Sequence, residues 1–155
     1  VSDHLGRTVR VTPDPYNPWR ALRRAHDVQL HWKHLPGGAR GMTRPPEPAV
    51  TLDPRQTQAE LRSTLTHELV HLERGPVPAD PVLAAREEAA VEQETAHRLI
   101  PLPRLADVLM AAHGEREAAD ELWVDVEVLR CRLAHLHPAE RGYLRRRLAQ
   151  REGAA

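Results

Sequence analysis

The chain has 155 residues, enough for one domain with a real core and a small appended subdomain. Its 22 basic and 22 acidic residues cancel, so bulk electrostatic attraction to nucleic acid or membranes is not indicated. A single cysteine, Cys131, excludes an intramolecular disulfide framework and points to a reducing compartment. No apolar run approaches the length of a membrane span, and residues 1–15, polar and broken by Pro13 and Pro15, do not resemble a signal peptide. A cytoplasmic protein is expected.

Residues 1–17 form an extended, proline-punctuated lead-in on this reading. Asn17 and Pro18 then have the form of an N-cap and a first helical position, predicting a short helix to about residue 27 with Trp19, Leu22 and Ala25 inward. VQLHWKHL alternates as a half-buried strand does, with Val28, Leu30 and Trp32 on the inner face. PGGARG is a turn, a second short strand runs through Met42, and AVTL at 49–52 is a third strand candidate after a proline-rich break. A long helix should start near Thr57, which has capping-box spacing to Glu60, and end at Gly75-Pro76. Leu61, Leu65, Leu69 and Leu72 make one stripe along it; His67 and His71 fall off that stripe, so a second surface or cleft must lie against them. Asp80-Pro81 opens the next helix, expected to run to about Ile100, and residues 104–155 hold two to four more. The predicted class is α+β: a small antiparallel sheet, the histidine helix and following helices over residues 1–103, then a helical C-terminal extension over 104–155.

Within LTHELVHLERG, His67-Glu68-Leu69-Val70-His71 has the H-E-x-x-H pattern. Helical positions four apart nearly eclipse, so both imidazoles can reach one tetrahedral metal, with Glu68 beside it as general base for water. A catalytic zinc needs a third protein ligand, and the next helix offers Glu88 and Glu92 on one face. Glu88 is the assigned third ligand and Glu92 the hydrogen-bond partner that orients a ligand histidine, though geometry alone allows the two roles to be exchanged. For the oxyanion donor, His97 and Tyr143 are nominees beside His31 and His34, and no spacing selects among them. His31 and His34, three apart on a strand, point to opposite faces, which argues against a second metal site. Cys131 reads as a core residue, and His135 and His137 as markers of a helix end.

Together, LTHELVHL and the later EEAAVEQETAHRLIP resemble the ImmA/IrrE type of zinc metallopeptidase, as do LPGGARGM and TLDP upstream. The resemblance spans roughly residues 18–103. It implies a zincin-like fold, a zinc ion (Zn2+) on His67, His71 and Glu88, and peptidase activity with Glu68 as base. It also implies a helix-turn-helix repressor as protein substrate, in phage, mobile-element or stress regulation. Two positions depart from the family pattern: Glu92 stands where the family has Asn or Asp, and Glu94 where it often has an aromatic residue.

The tail supports an alternative. Residues 118–133 resemble a helix-turn-helix, with Val124 apolar, Asp125 capping a second helix, and Leu129 and Leu133 inside. Arg141, Arg145, Arg146, Arg147 and Arg151 make the end basic. The second helix opens with Asp125 and Glu127, however, and Trp123 occupies the turn where a small residue is expected, which favours packing or partner docking over DNA. The alternative is thus a non-catalytic regulatory protein that binds a partner or DNA through its tail.

Overall fold

A computed structural model describes residues 15–152. Of the lead-in expected over residues 1–17, residues 1–14 lie outside that range. Helix α1, Pro18–Arg24, begins where Asn17 caps it, its side chain accepting from the backbone N–H of Trp19 and Arg20. Strand β1, Gln29–Trp32, follows, then a 3₁₀ turn at Pro36–Gly38 in which Gly37 and Gly38 take positive φ that other residues rarely adopt. Strands β2, Gly41–Thr43, and β3, Ala49–Leu52, complete a sheet of order β1-β3-β2.

That sheet is mixed and not antiparallel as expected. β2 and β3 form an antiparallel hairpin, but β1 pairs with β3 in parallel, Leu30 opposite Val50. The chain leaves β1, crosses to the far edge for β2, and returns through the middle, so β3 runs in the direction of β1. Trp32 also departs from its expected inward position: at the end of an edge strand it is 51% exposed and stacks on Trp19 at 6.3 Å between ring centroids.

Helix α2, Gln58–Arg74, starts with the predicted capping box: Thr57 N–H donates to Glu60 Oε2 at 2.8 Å and Glu60 N–H to Thr57 Oγ1 at 3.2 Å. Val50 and Leu52, the inward residues of β3, meet Leu61, Leu65 and Leu69 in one apolar cluster. Burying each such side chain contributes about 1.5–3 kcal/mol. The loop before α2 locks sheet and helix in register. Asp53 is buried and accepts from Leu35 N–H and from Arg55, whose guanidinium holds the carboxyl well below the usual range. Gln56 donates to Arg40 O at 2.9 Å and accepts from Thr64 at 2.6 Å, pinning the entry to β2 against α2.

Helix α3, Pro81–Leu99, is capped by Asp80 as predicted and packs on α2. The tail forms α4, Leu102–Ala111; α5, Glu115–Leu122; α6, Val126–Ala134; and α7, Pro138–Glu152. Leu99, Ile100, Leu105, Leu122, Leu129 and Leu144 belong to its core. Arg62 of α2 donates to Leu99 O, Leu122 O and Trp123 O, satisfying carbonyls that helix ends leave open. Trp123 adopts the left-handed conformation at the α5–α6 turn, with φ 56° and ψ 47°, and Asp125 caps α6 by accepting from Val128 N–H at 3.0 Å. Inside the tail, Arg132 is buried and paired with Glu140. Among the described residues there are seven helices and one three-stranded sheet, an α+β arrangement, and no helix is long and apolar enough to cross a membrane.

Candidate metal centre

His67 and His71 occupy successive turns of the same face of α2, and Glu88 reaches them from α3. Glu88 Oε1 lies 2.9 Å from His67 Nε2, Glu88 Oε2 lies 3.1 Å from His71 Nε2, and the two Nε2 atoms are 3.1 Å apart. Among the described residues this is the one group of three or more His, Cys, Asp or Glu side chains whose ligand atoms converge in this way. Four ligands around zinc at about 2.0–2.1 Å stand roughly 3.3 Å from one another, so the three donors need only small outward shifts to hold the ion. Without a cation, two imidazole nitrogens face each other at hydrogen-bond distance across one carboxylate. Burial depresses the pKa of His67, with Glu88 opposing, which favours the neutral form that binds metal. Glu88, its side chain 47% exposed, closes the group from the solvent side.

Glu68 is buried next to this group. Burial pushes its carboxyl up to about 7; the Thr43 hydroxyl and backbone N–H pull the other way, and the Glu88 charge adds to the rise. β2 makes room for it. A Cβ at Gly41 would stand 2.9 Å from Glu68 Oε1, so only glycine lets the strand come this close.

His67 and Glu68 line a cleft of about 640 Å³. Arg40 and Gly41 form one side; Ser63, Thr64, His67 and Glu68 belong to α2. Glu92 and Thr95 of α3 form the floor. The remaining wall comes from α6, through Val128, Cys131, Ala134 and His135. Arg40 ties the two sides together at one end by pairing with Asp125 at 3.2 Å and Glu60 at 3.4 Å.

The structure thus brings His67, His71, Glu88 and Glu68 together, and leaves the other nominees outside. Glu92 makes no hydrogen bond to either histidine: one turn beyond Glu88, its exposed side chain lies on the α6 side, where its charge raises the Cys131 pKa beside the larger effect of burial. His97 is exposed beside a second concavity of about 290 Å³ that shares Cys131 and His135 with the cleft, and Tyr143 packs against the tail core. His31 and His34 are exposed and do not line the cleft. Cys131, expected in the core, is half-buried and lines the cleft one helical turn from His135. The α6 wall was missed because it is formed by residues some sixty positions from the motif; the spacing of Val128, Cys131 and His135 on one helical face was the available signal. No family model matches the chain, and neither a curated protein nor a solved structure is significantly similar to it.

Proposed function

We propose that the chain is a zinc-dependent endopeptidase of the ImmA/IrrE type, cytoplasmic, with a helix-turn-helix repressor as its expected protein substrate. The observation that carries this reading is the grouping of His67, His71 and Glu88, whose ligand atoms lie within 4.8 Å of one another with each imidazole Nε2 2.9–3.1 Å from one oxygen of the Glu88 carboxylate, beside a buried carboxyl. Two imidazoles and one carboxylate are a donor set that catalytic zinc takes, with one position left open. Zinc bound there supplies a Lewis acid that acidifies water and polarises a carbonyl.

The chain's own residues do the rest. Glu68 accepts the proton of the attacking water and returns it to the leaving amine. β2, an edge strand of the sheet beside Glu68, offers backbone groups that an extended peptide can pair with. Assignment of the substrate class rests on the resemblance of the H-E-x-x-H and α3 sequences, and on this edge.

Glu68→Gln tests the proposal. The variant is expected to keep about one zinc per chain by elemental analysis while losing peptide cleavage. Repressor loss in cells that persists with Glu68→Gln would leave the non-catalytic alternative, in which the tail binds a partner or DNA.

A further inference from the structure

Two groups on the cleft floor have no part in the chemistry above. Thr95 is 2% exposed, lines the cleft, and its hydroxyl has no hydrogen-bond partner. Folded proteins rarely leave a buried hydroxyl unpaired unless something arrives to satisfy it. Glu92 stands three residues earlier on the same helix, its carboxylate exposed in the same cleft and free of any ion pair or hydrogen bond among the described residues. The arginines of the cleft are already neutralised: Arg40 by Glu60 and Asp125, Arg130 by Glu115 and Glu127. Outside the metal group and Glu68, the uncompensated charge of the cleft is therefore negative and sits at Glu92. Opposite, Val128, Cys131 and Ala134 recur at helical spacing on α6 and give an apolar wall.

We infer that the space between Glu92, Thr95 and this wall is a specificity pocket for a lysine or arginine side chain of the substrate. The inference rests on the peptide-cleaving reading. A basic side chain matches both surfaces, its alkyl stem against Val128, Cys131 and Ala134 and its cation on the Glu92 carboxylate beside Thr95. Residues three apart on a helix have Cβ atoms about 5–6 Å apart, within reach of one ammonium or guanidinium group. Glu92 follows the proposed ligand Glu88 by four residues, about 6 Å along the helix axis, so the residue selected flanks the scissile bond.

Zinc-loaded Glu68→Gln protein, which is expected to bind without cutting, provides the test. Fluorescein-labelled alanine-based hexapeptides with lysine, leucine or glutamate at the central position are titrated by fluorescence polarisation. The lysine peptide is expected to bind about tenfold more tightly than the leucine peptide, and this lead should shrink with added salt. Adding Glu92→Gln should erase the lead, and adding Glu92→Arg should transfer it to the glutamate peptide. Equal binding of all three peptides, binding of none, or a lysine preference that survives Glu92→Gln overturns the pocket. Wild-type protein is assayed for cleavage of the same peptides in parallel. A Glu92-dependent lysine preference without cleavage keeps the pocket and sinks the peptidase; cleavage indifferent to the flanking residue does the reverse.

Discussion

Alanine at Gly41 would place its Cβ 2.5 Å from Cγ2 of Thr64, 2.9 Å from Oε1 of Glu68 and 3.0 Å from Cγ of Glu68. Carbon atoms in contact lie about 3.5–4.0 Å apart, so the new methyl overlaps Thr64 by about 1 Å. Thr64 cannot easily turn away, because it is buried and its hydroxyl donates to Gln56 Oε1 at 2.6 Å. Either β2 lifts from α2 or Glu68 leaves its place. Overpacking of this kind costs about 1–3 kcal/mol, and with two side chains struck the upper half of that range is expected. Denaturant unfolding measures it, as a lower midpoint at unchanged slope. Thr64→Ser removes Cγ2 but keeps the hydroxyl, so in that background Gly41→Ala should cost about 1 kcal/mol less, the coupling read from a double-mutant cycle. The proposed metal ligands lie on α2 and α3, so zinc content should hold, while the proposed cleavage should fall about a hundredfold, as a 1 Å displacement of a catalytic group does. A Gly41→Ala protein as stable as the wild type, or one whose cost ignores Thr64→Ser, refutes the packing of β2 on Glu68.

Glu88→Ala should lose zinc together with the stability zinc adds, about 4 kcal/mol when free zinc exceeds its dissociation constant a thousandfold. A chelator should lower the wild-type Tm and leave that of Glu88→Ala unmoved; loss of metal in Glu92→Ala instead would exchange the two glutamates. Glu140→Ala strands the Arg132 guanidinium, whose side chain is 4% exposed, and should cost about 3 kcal/mol by chemical denaturation. Arg132 also depresses Glu140 from its ordinary 4.5 to about 2, so the native state holds fewer protons than the unfolded chain in that interval. The contribution is complete above pH 4.5 and is lost as pH falls towards 2. Wild type should therefore lose stability on acidification more steeply than Glu140→Ala, and equal slopes would falsify the pairing.

Helix starts were legible because each is a local event. Asn17, Thr57, Asp80 and Asp125 all cap the helices their sequences announce, and a cap needs only the three or four residues that follow it. Strand pairing depends instead on where the chain crosses the sheet. Alternation in VQLHWKHL marks a strand but carries no information on whether β1 runs with or against β3, and the parallel pairing was missed for that reason. Trp123 is the opposite case: its left-handed backbone occupies a turn position where a small residue is normally expected, and the 6.0 Å approach of Arg62 to its ring is a contact no local pattern contains.

The centre divides along the same line. Helical periodicity places His67 and His71 together and puts Glu88 on a face with Glu92, but it does not say which glutamate meets the histidines. The approach of α3 to α2 decides that, bringing Glu88 to 2.9 Å from His67 and leaving Glu92 one turn farther on, opposite α6. The tail then acquires a place in the same chemistry. Arg62 of α2 donates to carbonyls at the ends of α3 and α5, Arg40 joins the entry of β2 to the cap of α6, and α6 lines one cleft with His67 and Glu68. A substrate entering that cleft touches both parts of the chain at once. If the proposed reading holds, selection by α6 and the α3 floor and chemistry by α2 and Glu88 depend on one docked arrangement, and loosening the tail should widen the cleft while leaving His67, His71 and Glu88 in place.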